Sequence, residues 1–351
     1  MTKKMKMAEA KSLAQKIAFA PFTFQAIKTL VDLQILAAID KHTPQGITDT
    51  ELEKELNLNH YTVSTLLEVA LFADVVAKEN KKYTITKVGQ CFLYDTMTQV
   101  NMDFVNDVCY KGMFDLKESF LTQSPKGLKN FGTWPTIYEG LSSLPKQVQK
   151  SWFAFDHFYS DNTFDKVIEI ILASEPKRVF DIGCNTGKFE LAFLKQGFKG
   201  EMILIDLPQQ LEKAKENLKA NNLDKFCQYH PVNILSAEAK LPQNPDIVFM
   251  SQFLDCFSTE QIQGILNKVK EVMTATSKVY ILEPFWDKQS FEAAKLSLTN
   301  ISLYFTALAN GKSKMYSQEE MQTCVEKTGL KLAKIYDKIG PFEYTLMEIT
   351  K

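Results

Sequence analysis

From residue 176 onward, apolar runs of six to nine residues alternate with helical stretches, and few architectures accommodate that rhythm. The runs are 178–183, 201–206, 227–234, 246–254 and 279–284, with helical periodicity over 187–196, 208–222 and 259–273. Strands that alternate with helices pair in parallel and are covered on both faces, which predicts a doubly wound α/β sheet. The end of the chain breaks the rhythm. Segments 331–339 and 342–349 flank Gly340-Pro341 and read as an antiparallel pair, which adds one antiparallel strand.

The first half follows a different pattern. Ile27, Leu30, Val31, Ile35 and Ala38 recur at helical spacing. Thr48-Asp-Thr-Glu51 is a capping box that starts a second helix, and Asn57–Asn59 is a turn before a third. Segments 75–78 and 83–86 alternate as a hairpin should, so residues 1–96 read as a winged helix. Residues 97–164 read as helical and aromatic. The stretch 151–164 holds six aromatic residues and one histidine, which suits either a buried helix or a pocket wall.

Charge and composition narrow the function. The chain has 351 residues, which suits two domains. It carries 41 basic and 42 acidic residues, and only one of the basic ones, Arg178, is an arginine. A winged helix that reads DNA needs basic side chains on its third helix, yet residues 55–77 contain no Lys or Arg. A ligand-binding regulator of that kind is therefore the weaker reading, and no nucleic-acid partner is expected. No apolar run reaches the ~18–20 residues of a membrane span, and the lysine-rich start has too short an apolar run for a signal peptide. The six cysteines form no CxxC pair and do not cluster with the four histidines, so the expectation is free thiols, a cytoplasmic location and no metal.

The chemistry starts at Asp181-Ile-Gly183-Cys-Asn185-Thr-Gly187, where the first strand turns into a helix. Glycines at such a turn let the backbone approach a nucleotide-type ligand. The frame from Gly183 reads Gly, Asn185, Lys188 instead of G-x-G-x-x-G, which argues against NAD. Asp206 ends the next strand, 23 residues after Gly183. An acid there either accepts both hydroxyls of a ribose or caps the helix that begins at Pro208.

Together, DIGCNTG, IDLP at 205–208 and FLDCFSTEQ at 253–261 resemble the S-adenosylmethionine-dependent O-methyltransferases that carry a winged-helix dimerisation domain, the caffeate, hydroxyindole and polyketide-tailoring type. The likeness covers nearly the whole chain. It implies a Rossmann-like class I methyltransferase domain with a mostly parallel seven-stranded sheet over 165–351, and a homodimer built through the N-terminal domain. It implies S-adenosyl-L-methionine as cofactor, with Asp206 and Leu207 at the ribose. Asp181, Gly183, Asn185 and Gly187 would lie around the methionine end, Asn233 and Ile234 near the adenine, and Gln252 beside them. Asn185 stands where the family has a glycine, and Asn233 where it has an acid.

The departures fall on the reacting end. The family's general-base histidine is matched by Asp255, in Asp255-Cys256-Phe257, and its orienting glutamate by Glu283. A further family glutamate is replaced by Met315. A phenol with pKa near 10 is a poor match for an aspartate near 4, unless burial beside Glu283 raises one of the pair. His157 is the other catalytic candidate, and Phe153, Tyr159, Phe257, Trp286 and Tyr304 are candidate walls for an aromatic or polyketide-like acceptor. O-methylation with Asp255 in the base position is the leading expectation. C-methylation of a phenolic ring and a catalytically silent cofactor-binding protein are the alternatives.

Overall fold

A computed structural model describes residues 5–351. The chain divides into two compact units, the first ending at Asp103 and the second spanning Phe104–Lys351. The first unit runs seven residues past 96, and residues 104–164 are compact with the second.

The first unit contains α1 (Met7–Asp32), α2 (Ile35–Lys41), α3 (Asp49–Leu56) and α4 (His60–Phe72). The hairpin β1 (Val76–Glu79) and β2 (Lys82–Ile85) follows, then α5 (Lys87–Tyr94) and α6 (Thr96–Asp103). Thr48 caps α3 by accepting the Glu51 N–H, and the Glu51 carboxylate returns a bond to the Thr48 N–H at 2.8 Å. Asn57 ends α3 in the left-handed region and Asn59 caps α4. Leu30, Ile35, Leu36, Leu52, Val63 and Leu67 are fully buried in one core. Among the described residues no single helix is long and apolar enough to cross a membrane; α1 and α2 meet both conditions only as a pair bent by 63°.

The second unit begins with short and distorted helices, among them α7 (Leu116–Thr122) and α8 (Ile137–Gly140), then α9 (Lys146–Ser160) and α10 (Phe164–Leu172). The α/β part runs β3 (Arg178–Ile182), α11 (Lys188–Lys195), β4 (Glu201–Asp206), α12 (Pro208–Ala220), β5 (Cys227–Pro231), β6 (Ile247–Ser251), α13 (Thr259–Val272) and β7 (Lys278–Glu283). It closes with α14 (Glu292–Tyr304), α15 (Gln318–Lys327), β8 (Lys331–Ile339) and β9 (Tyr344–Thr350). The seven strands lie in the order β5-β4-β3-β6-β7-β9-β8. β9 is antiparallel to both neighbours, and all other pairings are parallel.

Alternate residues of each central strand enter different cores, as the two-residue period of a strand requires. Phe180, Ile182, Ile203, Ile205, Val248 and Ile281 pack with Ile262, Leu266 and Val269 of α13 and Met321 of α15. Val179, Met202, Leu204, Ile247 and Phe249 pack with Ile168 of α10, Phe193 of α11 and Ala214 of α12. A third cluster in this unit is rich in aromatic rings and joins Phe104, Trp152 and Tyr304. Parallel order reverses between β3 and β6, so the carboxyl ends of β3, β4, β6 and β7 surround the place where such sheets bind ligands.

Candidate active site

The strand ends carry two groups of acids. The first surrounds the glycine turn after β3. Gly183 has φ +88°, and a Cβ there would lie 2.3 Å from the Phe253 ring, so no other residue fits this backbone. Asn185 has φ +48°, a left-handed conformation that asparagine tolerates, and this is how it stands in for a glycine. Its N–H donates to Asp206 Oδ2 at 3.0 Å, and its side-chain amide donates to Asp156 of α9 at 3.0 Å. The Leu207 N–H donates to Asp206 Oδ1 at 2.7 Å.

Asp206 therefore holds the turn and the start of α12 together. Burial pushes its carboxyl up to about 6, and these two N–H bonds pull it back down. A carboxylate offers about four acceptor positions, so two remain beyond those the backbone uses. Beneath the turn, Asp181 of β3 meets Glu190 of α11, both buried. Burial raises Asp181 to about 7 and holds Glu190 well above the usual carboxylate range. The two side chains bond each other, which requires a proton on one of them. Two buried carboxylates cannot both stay charged at such range, so one of this pair keeps its proton.

The second group follows β6 and β7. Glu283 ends β7, and its Oε1 accepts the N–H of Phe253 at 3.2 Å and of Leu254 at 3.0 Å. This clamps the turn that carries Asp255. Glu283 Oε2 is enclosed without a partner among the described residues, and Glu283 and Asp255 line one small void with Phe285, Met315, Tyr316 and Met321. Burial raises Asp255 to about 6, while the Cys256 thiol, which donates to Asp255 Oδ1 at 3.4 Å, lowers it. Burial and the Asp255 charge hold Glu283 well above the ordinary carboxylate range. The mismatch between an ordinary aspartate and a phenol is thereby narrowed.

The other sequence candidates separate. Tyr304 is buried, accepts the Trp152 indole N–H at 2.7 Å and meets Phe104 edge-on at 5.0 Å. Phe153 packs on the same aromatic cluster and stacks on His157 at 5.8 Å, under the Lys213 ammonium. His157 lies 3.8 Å from the Asp156 carboxylate, which in turn accepts the Asn185 side-chain amide of the glycine turn. Tyr159 packs on Phe155 and Phe342, and Phe257 sits edge-on to Phe253. Trp286 is half-buried just after β7. Of the five, Phe153 and Tyr304 share one cluster, while Tyr159 and Phe257 pack on others.

Gln252 is left-handed at φ +47° and accepts the Tyr344 hydroxyl at 2.6 Å. Asn233 is exposed, with its side-chain oxygen engaged by the Leu235 N–H at 3.0 Å, and the Ile234 carbonyl accepts the Lys268 ammonium at 2.8 Å. Tyr138, Asp156 and Glu190 were not singled out from sequence. Only an acid at the fourth position of an amphipathic helix start, buried in the fold, distinguishes Glu190, and Tyr138 lies in a segment without periodicity.

This sheet order, with a glycine turn after the first strand and an acid ending the second, defines the Rossmann-like methyltransferase class. Residues 173–330 match a methyltransferase domain and residues 11–83 a Dimerisation2-like domain. The chain thus carries a methyltransferase domain, which makes it a methyltransferase, behind a Dimerisation2-like domain. Solved structures agree on the fold. Mitomycin 7-O-methyltransferase MmcR superimposes with a TM-score of 0.73 at 18% identity, covering 98% of each chain. The S-adenosylmethionine-dependent methyltransferase SibL gives 0.72 at 17%, covering 97% of this chain and 99% of that one. NcsB1, an O-methyltransferase from neocarzinostatin biosynthesis solved with S-adenosylmethionine and 2-hydroxy-5-methyl naphthoic acid, gives 0.67 at 16%, covering 93% and 95%. No curated protein matches the sequence.

The residues present fit the cofactor this class implies. Asp206 keeps acceptor capacity for a diol at the end of β4, and the bare Gly183 backbone leaves no side chain at the turn.

Proposed function

We propose that the chain methylates a hydroxyl oxygen of a small aromatic or polyketide-like acceptor with S-adenosyl-L-methionine. When bound, the cofactor supplies a methyl group on a sulfonium, which is already an activated leaving group. The protein's share is alignment, worth about 7–11 kcal/mol in well-oriented reactions, and handling of the acceptor's proton. Asp206 would accept the ribose hydroxyls, with Leu207 beside it. Asp181, Gly183, Asn185 and Gly187 would border the methionine end, with Ile234, Asn233 and Gln252 bordering the rest of the cofactor.

At the reacting end Asp255 takes the acceptor's proton and Glu283 fixes Asp255 by clamping the 253–254 N–H groups. The observation that carries this reading is that buried carboxyl pair, placed at the strand ends next to the aromatic cluster of Phe104, Trp152 and Tyr304. His157 serves the cofactor side through Asp156 and Asn185. The N-terminal unit, a winged helix in our reading, forms the homodimer. The exposed Leu13, Ile17, Phe19 and Phe22 of α1 supply an apolar face for it. All six cysteines are free thiols, which suits the cytoplasm.

Incubation with methyl-labelled S-adenosylmethionine and a panel of naphthols, catechols and hydroxynaphthoic acids tests the reading. O-linked label on at least one acceptor is expected. Label on ring carbon would replace it by C-methylation, and calorimetric binding of S-adenosylhomocysteine without any transfer would replace it by a silent cofactor-binding protein.

A further inference from the structure

Asp255 alone leaves the proton transfer uphill, because about 6 is still far below a phenol. A hydrogen-bond donor at the acceptor oxygen would close that gap by stabilising the phenolate. The aromatic cluster contains such a donor. Tyr138 lies in the short helix α8, and its hydroxyl oxygen is enclosed with only the Cys256 thiol, a weak partner, to bond it among the described residues. The Cys256 thiol is beside it, and the Tyr304 hydroxyl and Asp255 are its other polar neighbours. An enclosed hydroxyl whose one partner is a thiol is under-satisfied, so a residue placed this way calls for a ligand oxygen that accepts from it.

The segment around Tyr138 is fixed firmly enough to aim it. Ile137 and Leu141 are buried in the same cluster. The Trp134 ring presses on Gly140, where a Cβ would come within 2.2 Å of it, so the helix is held against the indole. Burial drives the Tyr138 hydroxyl well above its usual pKa, which makes it a proton holder and a donor instead of a base.

We infer that Tyr138 is a further catalytic residue: its hydroxyl donates to the acceptor oxygen that is methylated, while Asp255 removes the proton from that same oxygen. This rests on the O-methylation proposed above. The acceptor O–H breaks and its proton passes to the Asp255 carboxylate. The oxygen's electron pair forms the new O–C bond as the methyl–sulfur bond breaks, and neutral S-adenosylhomocysteine leaves. Tyr138 keeps its proton throughout. The arrangement selects planar phenolic acceptors and disfavours aliphatic alcohols, whose pKa lies beyond the reach of one donor and one buried carboxylate.

The test reads the titration of 4-nitrophenol bound to the full chain with S-adenosylhomocysteine, because its phenolate alone absorbs visible light. In the wild type the bound phenol should titrate below its free value. Tyr138→Phe should raise the bound value by about one unit, the size of one hydrogen bond to a charged group. Replacing Tyr138 by 3-fluorotyrosine, a stronger donor of nearly the same shape, should lower it, a direction that damage to the fold would not produce. Unchanged titration in both variants overturns the role of Tyr138. Failure of the wild type to bind the phenol at all, with S-adenosylhomocysteine still bound, overturns the aromatic-acceptor reading instead.

Discussion

Two buried carboxyl pairs face each other's function across one sheet. Asp181–Glu190 lies under the turn after β3, and Asp255–Glu283 lies after β6 and β7. Both pairs are almost sealed from water, and burial raises all four acids. They differ in anchoring. Glu283 accepts two backbone N–H groups through one oxygen, so its position is fixed and it holds Asp255 in place. Glu190 instead bonds the Asp181 side chain, and the pair shares a proton. An acid held by backbone N–H groups can position a neighbour that does chemistry. An acid paired with another buried acid is kept neutral. The comparison supports our proposal that the second pair does the chemistry, while the first is a neutral contact beneath the glycine turn.

The largest effect that would break this contrast is at Asp255. Asp255→Asn should lower turnover by about 10²–10⁴-fold, the range of a lost general base. In the wild type the base must be ionised, so kcat/KM should rise with pH through about 6 and level off above it. A variant with wild-type turnover, or a wild-type rate that falls as pH rises through that range, would move the base elsewhere.

Glu283→Ala comes next. It leaves the Phe253 and Leu254 N–H groups without their acceptor, a loss of about 1–3 kcal/mol that a melting curve reads, with kcat falling alongside it. If kcat is unchanged while stability drops, Glu283 is structural only.

Glu190→Gln is the smallest and has the opposite sign. An acid whose folded pKa is raised holds its proton in the native state and loses it in the unfolded one as pH passes about 4.5. Native stability from this group is therefore greatest below that pH and is lost as pH rises. Between pH 5 and 8 the wild-type Tm should decline, and Glu190→Gln should flatten that decline, a change of a few degrees. A variant whose Tm falls as steeply as the wild type would show that the first pair holds no such proton.

The contrast also explains what the sequence revealed. The cofactor half is made of backbone geometry. A strand, a positive-φ turn and a strand-end acid are local features with fixed spacing, so Asp181, Gly183 and Asp206 were legible as a group. The strands themselves lie within three residues of their apolar runs, because both faces are buried and the runs are continuous. The acceptor half that we propose draws on α8, α9, the turn after β6 and α14, where contacts span up to 152 residues. No periodicity marks Tyr138 as the neighbour of Cys256. Aromatic character alone does not sort such residues: Tyr159, Phe257 and Tyr304 are all buried or half-buried, and each packs on a different core. Asn233 illustrates a local rule winning over a positional one, since its side chain closes its own turn.

Calorimetric titration of S-adenosylhomocysteine into the wild type, Asp206→Ala and Asp255→Asn tests the division of labour most directly. Loss of affinity of roughly 3 kcal/mol or more is predicted for Asp206→Ala, the scale of two hydrogen bonds to a charged group, with Asp255→Asn binding as the wild type does. Wild-type affinity in Asp206→Ala, or an equal loss in both variants, would contradict the assignment of one acid to the cofactor and the other to the acceptor.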